Sequence, residues 1–491
     1  MSLRKKVLWI GPEPNQDVKQ RLDELDLVLT YLGYERTLTN NDFADASSLV
    51  FNVPDGKAGV LLSRLESLAI PALDHGLEVV VKCSSDEVNP IHAQLAIDEL
   101  DGQIRLVTES KKNPYQLPKL LFSHSNYAGP AYRETCDICL PEGLVLAAEQ
   151  VVFLKRAFWD CKQIHLEPLT SGVSATAYCI RAINLNEAEG RPMPFFAKFD
   201  VLSKIVSEHE NYNDNVLPFI PFNLRPNLDD RRCIHGARHG LLVGNFVEHS
   251  ESLWEVINRG DARAAIYSLF DNVLRSWRHD LNIVPSRKNL FKIDISEEKY
   301  ERLLTRSVQA RQFGVALEPE KLIETLKSLP PITHITTRIH GDLHAENVRV
   351  RNNDAILIDF ASVDWGPSSR DSADLEVWIA FSKWPKNVSF RNWKKLIEEL
   401  YDSSKFYIQL PKLKHEPDIG CSIWNYVRQI RGLVFPDQLD RHEYQLSLSY
   451  GLFRHATRKA KGRNKREISA DEKRRAYAYF LAGKLAKMPI L

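Results

Sequence analysis

The stretch Thr337–Glu376, TRIHGDLHAENVRVRNNDAILIDFASVDWGPSSRDSADLE, sets three polar residues at informative distances. His340-Gly341-Asp342 is followed by Asn347, giving H-x-D-x-x-x-x-N, and the apolar run Ala355 to Ile358 then delivers Asp359-Phe360. Phosphoryl transfer requires a carboxylate to orient an acceptor hydroxyl and take its proton, together with oxygen ligands that hold Mg²⁺ against phosphates. Asp342 suits the first role, and Asn347 and Asp359 suit the second. The spacing predicts Asp342 and Asn347 at two ends of one short loop. Asp359 is expected at the end of a hairpin strand whose turn is Asn352-Asn353-Asp354. A plainer reading, in which His340 and Asp342 cap a turn and Asp359 ends a buried strand, leaves the joint spacing unexplained.

On HGDLHAEN, LIDF and GPSSRDSADLE the chain resembles the aminoglycoside phosphotransferase and choline kinase-like family, a branch of the protein-kinase-like fold. The resemblance implies Asp342 as catalytic base, Asn347 and Asp359 as Mg²⁺ ligands, Asp371 as a structural anchor, and ATP as the phosphoryl donor. Asp359-Phe360 is followed by Ala361 where protein kinases carry Gly, which fits the small-molecule branch better.

Further residues take their places around this centre. Glu167 to Tyr178 occupies the position of a phosphate-covering turn, with Ser171 and Gly172 small enough for backbone N–H groups to approach phosphates. In Pro194 to Phe199 a single lysine, Lys198, stands among apolar neighbours, and a half-buried lysine needs anionic partners. ATP phosphates and a carboxylate from the helix at Ser203 to Val216 would supply them, Glu208 before Glu210. Leu241 to Glu248 falls where the family places its hinge, so Phe246 and Val247 are the expected adenine neighbours.

The 491 residues are 44% hydrophobic and 26% charged, ordinary globular material for several domains. No apolar run approaches the roughly 20 residues that span a bilayer. The apolar part of the N-terminus, Val7 to Ile10, is too short for a signal-peptide core, so a cytoplasmic protein is expected. Seven cysteines form no disulfide-like framework. Cys136-x-x-Cys139 lacks a neighbouring second pair to complete a zinc set.

Residues 5 to 121 alternate strands and helices. Strands are expected at Lys6 to Ile10, Ser48 to Phe51, Glu78 to Cys83 and Ile104 to Val107, and helices over Val18 to Leu32 and Gly59 to Leu68. This α/β, doubly wound pattern resembles a response-regulator receiver domain, the cue being Ser110 to Tyr115 before a helix. Its chemistry is missing, because Gly11-Pro12-Glu13 and Phe51-Asn52-Val53-Pro54 supply neither the paired acids nor the phosphoacceptor. The division expected is a receiver-like domain over 1–122, a linker over 123–145 that includes the turn formers of Ser123 to Pro141, and a kinase-like α+β part. That part is bilobal, with an N-lobe over 146–250, opened by a helix from Leu144 to Phe158, and a helical C-lobe over 251–491. The last helix is expected to start at a capping box, Ser469 to Glu472.

Net charge is +1, but Glu376 to Leu491 holds 23 Lys and Arg against 12 Asp and Glu. Ten of those cations lie between Arg454 and Arg475. A run without interleaved aromatics argues against nucleic acid. Polycationic aminoglycosides would suit an acidic C-lobe better, so the acceptor expected is a hydroxyl on an anionic or neutral metabolite, a protein or an RNA. The alternative reading is a catalytically silent kinase-like and receiver-like scaffold, its N-terminal domain docking a protein partner.

Overall fold

Two alternating sets of apolar residues on three strands set the first layer of the chain. Leu8, Ile10, Leu49, Phe51, Val79 and Val81 pack into one core, while Val7, Trp9, Val50 and Val80 pack into another. Successive strand residues point to opposite faces, so these positions bury both sides of a single sheet. The computed structural model describes residues 5–487 apart from 34–35, 45, 55–57, 98–99, 101–102, 109–115, 125–135, 170–175, 186–191, 279–284, 287–290, 292, 294, 329–331, 382–387, 403–418, 438, 441, 461 and 463. The chain divides into two units, Met1–Glu210 with Asn227–Glu248, and Asn211–Pro226 with His249–Leu491.

The first unit begins with β1 (Lys5–Ile10), α1 (Gln16–Glu24), β2 (Leu27–Leu32), α2 (Asn40–Ala44), β3 (Ala46–Asn52), α3 (Ala58–Asp74), β4 (Glu78–Cys83), α4 (Val88–Ile97), β5 (Ile104–Thr108) and α5 (Gln116–His124). The strands form one parallel sheet in the order β2-β1-β3-β4-β5, a doubly wound α/β arrangement. The helix expected over Val18 to Leu32 is a correction. It stops at Glu24, Asp26 turns through φ 60°, and Leu27–Leu32 becomes the edge strand β2. Leu22, Leu25, Leu29 and Leu32 satisfy a helical spacing, but Leu27 to Leu32 gains a full ladder against β1, and that pairing outweighs the local period. The helix expected over Gly59 to Leu68 continues to Asp74.

The same unit continues with β6 (Asp137–Cys139), α6 (Ala148–Ala157), β7 (Cys161–Pro168), β8 (Thr176–Asn184), β9 (Met193–Val201), α7 (Leu202–Asn211), β10 (Ile234–His235) and β11 (His239–Asn245). They build a six-stranded sheet, β10-β11-β9-β8-β7-β6, antiparallel except for β6 against β7. Part of the expected linker is therefore an edge strand, since Asp137–Cys139 pairs with Gln163–His165. The helix expected from Leu144 is shorter, starting at Ala148 after a Pro141 turn. Arg156 on α6 is wholly buried and donates to the carbonyls of Phe43 (2.6 Å) and Ala46 (3.0 Å), tying α6 to the segment that enters β3.

The second unit holds β12 (Glu251–Ser252), α8 (Leu253–Arg259), α9 (Arg263–Ser268), α10 (Arg275–Arg278), β13 (Pro285–Ser286), α11 (Glu297–Ala310), α12 (Pro319–Lys327), β14 (His334–Ile339), β15 (Val348–Arg351), β16 (Asp354–Leu357), β17 (Asp364–Pro367), α13 (Arg370–Phe381), α14 (Phe390–Leu400), α15 (Ile419–Val434), α16 (His442–Thr457) and α17 (Lys465–Ala486). Helices dominate, and two small sheets, β12-β15-β16 and β13-β14-β17, frame the central stretch. The start expected for α17 is corrected. Asn464, not Ser469, is its N-cap, accepting from the Glu467 amide at 3.0 Å, so Ser469 lies inside the helix. Tyr477, Leu481 and Leu485 on its inner face are buried as the apolar stripe requires. Among the described residues no helix is long and apolar enough to cross a membrane.

Candidate active site

The loop between β14 and β15 is held by one carboxylate. Asp371, in the first turn of α13, accepts the His340 amide at 2.7 Å and the Gly341 amide at 3.0 Å. Its burial pushes the carboxyl up from its ordinary range, opposed by His340 and by those two amides. His340 is fully buried and its Nε2 meets the Ile358 carbonyl at 3.0 Å. Gly341 has φ +74°, and a Cβ there would stand 2.2 Å from the Ser362 carbonyl oxygen, so the turn that presents Asp342 accepts only glycine.

The next links join Asp342 to the strand that ends in Asp359. Asn347 is buried, its Nδ2 donates to the Asp342 carbonyl at 3.1 Å, and its own carbonyl accepts the Ile358 amide at 3.0 Å. β15 and β16 pair through the Asn352-Asn353 turn, both residues at positive φ, which asparagine tolerates. Asp359 follows at φ 67°, exposed, one residue beyond the Ile358 amide bonded to Asn347. An amide oxygen and a carboxylate on adjoining segments form a hard-oxygen donor pair suited to Mg²⁺ completed by phosphates and water.

Asp342 is not left to water. Its Oδ1 accepts from Arg454 Nη2 at 3.3 Å and from Arg458 Nη2, and its Oδ2 lies 3.8 Å from His344 Nε2. Burial would raise its carboxyl, but Arg458 and Arg454 overcome that and hold it at about 2. Burial also takes His344 down to about 4, against the pull of Asp342, so the ring is neutral at physiological pH and stacks on Trp378 with centroids 5.8 Å apart. Arg454 is fixed further by the Gly341 carbonyl (2.8 Å) and by Asp374 (2.6 Å), which Arg370 also holds at 2.9 Å. Sequence reasoning did not single out Arg454 or Arg458. Their i, i+4 spacing, which places both at one helix end, was the available signal.

Other residues expected at the site lie in the first unit. Lys198 on β9 stands in register with Ala177 on β8 and Leu242 on β11, and its Nζ reaches Glu208 Oε2 on α7 at 2.6 Å. Glu208 is therefore the carboxylate that meets the lysine, and both side chains are mostly buried. Phe246 and Val247 follow β11, with the Phe246 amide donating to the Pro194 carbonyl at 3.1 Å. Ser171 and Gly172 lie outside the described residues.

A family model described as APH, phosphotransferase enzyme family, matches residues 279–389, a segment that includes Asp342, Asn347 and Asp359. No curated protein matches the sequence. Solved structures similar to parts of the chain include the following three. Amicoumacin kinase hAmiN in complex with AMP-PNP, Ca²⁺ and Ami matches at 13% identity and a TM-score of 0.40, covering 68% of this chain and 93% of that one. Choline kinase from Cryptosporidium parvum Iowa II matches at 10% identity and a TM-score of 0.33, covering 66% and 88%. Aminoglycoside phosphotransferase APH(3'')-Id from Streptomyces rimosus ATCC10970 matches at 18% identity and a TM-score of 0.31, covering 58% and 99%.

Proposed function

We propose that the chain is an ATP- and Mg²⁺-dependent phosphotransferase that moves the γ-phosphoryl group of ATP to a hydroxyl. The observation that carries this reading is the continuous hydrogen-bonded path from the Asp342 carbonyl through Asn347 to Ile358, which joins a loop bearing a carboxylate to a strand end bearing a second. The phosphotransferase family match over residues 279–389 supports it. In this reading Asp342 orients the acceptor and takes its proton as the acceptor oxygen bonds to the γ-phosphorus and the bond to the β-phosphate oxygen breaks. Asn347 and Asp359 would hold Mg²⁺, which offsets phosphate charge when bound. Lys198, steadied by Glu208, would meet phosphate oxygens, Ser171 and Gly172 would offer backbone N–H groups to them, and Phe246 and Val247 would flank the adenine.

We assign residues 146–250 and 251–491 to the two lobes of a protein-kinase-like domain, and residues 1–122 to a receiver-like module without a phosphoacceptor that docks a protein partner. A cytoplasmic setting follows from this reading. One observation favours a silent scaffold instead, namely the two arginines that hold Asp342 at about 2, where a carboxylate is a weak base. Thermal denaturation of the full chain with ATP and Mg²⁺ separates the two, because a ligand bound to the native state raises stability by mass action. The expected outcome is a rise in Tm that needs both components and shrinks in Lys198→Ala. A flat titration in the unsubstituted chain would overturn the enzyme reading.

A further inference from the structure

Arg458 stands just beyond α16 with its side chain 38% exposed, and among the described residues its guanidinium hydrogen-bonds to Asp342 alone. Arg454, one helical turn earlier, is held by three different acceptors, Gly341, Asp374 and Asp342. The two arginines thus differ: one is held by three acceptors and the other, more exposed, by Asp342. Both lie beside a small cavity whose walls include Leu343, His344, Val377 and Trp378, so an aromatic pair and the two guanidinium groups share one recess next to Asp342.

We infer that this recess is the acceptor subsite and that the acceptor is a small hydroxyl compound bearing a carboxylate or a phosphate, whose anionic group pairs with Arg458. The inference rests on the phosphotransferase reading and names the class of its substrate. A cationic acceptor would face two guanidinium groups at the carboxylate it must approach, and like charges so placed are repulsive. A neutral acceptor would leave both arginines on Asp342. An anion gives Arg458 a second partner in a bidentate geometry that guanidinium favours. Without an acceptor Arg458 stays on Asp342, as observed. Arg458 is in this account a binding residue for the acceptor.

Calorimetry on the full chain with ADP and Mg²⁺ tests the inference, using glycerol 3-phosphate and D-glycerate as anionic probes and glycerol and choline as controls. At least one anionic probe should bind, choline and glycerol should not, and Arg458→Gln should weaken the anionic probe at least about tenfold while Arg458→Lys weakens it less. The two anionic arms tell phosphate from carboxylate recognition. Binding of neither anion, binding equal in unsubstituted chain and Arg458→Gln, or tighter binding of choline would each overturn it. Arg458 is surface-accessible enough for Gln to fold, and Arg458→Lys provides the comparison if it does not. Stabilisation by ATP·Mg²⁺ is measured in parallel. If that is present and the anions fail, the acceptor inference alone is wrong, and if it is absent, the phosphotransferase reading fails and takes this inference with it.

Discussion

Asp342 and Asp359 are the same residue type in opposite settings. Asp342 is capped by two guanidinium groups at the end of a glycine turn, whereas Asp359 is exposed at a left-handed backbone position after a buried strand. If the first is the base and the second a metal ligand, their neutral amides should fail differently. Asp342→Asn should leave ATP·Mg²⁺ affinity within about twofold and abolish turnover, because proton acceptance enters only when the bond to the acceptor forms. Asp359→Asn should weaken metal-dependent nucleotide binding itself, since the lost carboxylate charge opposed Mg²⁺. Calorimetry for affinity and slow ATP hydrolysis for turnover distinguish the two, and equal loss of affinity in both variants would sink the division of roles. At this scale the sequence was informative where the contacts are local. The spacing of Asp342, Asn347 and Asp359 lies within a loop and a hairpin, so it can be read directly. Arg454 and Arg458 meet Asp342 across 112 and 116 residues, and a distance of that length leaves no trace in local spacing.

At the scale of elements, α13 binds its neighbours through charge as well as apolar surface. Glu376 is wholly buried and accepts from Arg431 on α15 at 3.0 and 2.6 Å and from Tyr444 on α16 at 2.8 Å, while Arg431 also donates to the Leu400 carbonyl. Breaking such a pair by removing one partner strands a buried charge, and the expected cost is about 3–5 kcal/mol. Glu376→Gln should therefore lower the denaturant midpoint of the second unit strongly. The double substitution Glu376→Gln with Arg431→Met should cost less than the sum of the singles, and strict additivity in a double-mutant cycle would show that the two side chains do not act as a pair. The Asp371-x-x-x-Leu375-Glu376 run was visible in the sequence, but the partners of Glu376 were not. The element errors share this origin. Leu27 to Leu32 carries a helical spacing that a neighbouring strand overrides, and Ser469 to Glu472 has the composition of a cap but lies inside α17, one turn past its start. Local pattern names what a segment could be, and tertiary pairing decides among the options.

On the scale of the whole molecule, several arginines of the second unit are held in ion pairs within it. Arg475 is buried against Asp471, Arg306 reaches across from α11 to Glu472, and Arg454 is shared among three acceptors. A charge count alone would offer these arginines to a partner, whereas each is held by acids of its own unit, and Arg458, paired with Asp342 at a partly exposed position, is the one on which the acceptor inference turns. The parallel sheet at the other end of the chain, proposed above as receiver-like, raises the opposite question, whether it could still perform phosphoryl chemistry. In a receiver-like module the phosphoacceptor would be a carboxylate at the end of the third strand, able to form an acyl phosphate, with a metal held by acids after the first strand. Here β3 ends in Asn52, whose Nδ2 donates to the Pro12 carbonyl at 2.8 Å and whose Oδ1 accepts from Lys82 at 3.2 Å. An amide cannot form an acyl phosphate, and the one acid after β1, Glu13, is paired with Lys19 at 2.5 Å on the exposed side of α1. The full chain incubated with acetyl phosphate and Mg²⁺ should therefore acquire no hydroxylamine-sensitive adduct on peptides from β1 to β4. Such an adduct, found by mass spectrometry on any acid of that segment, would show that the sheet keeps a phosphoacceptor which the arrangement of Asn52, Pro12 and Lys82 excludes.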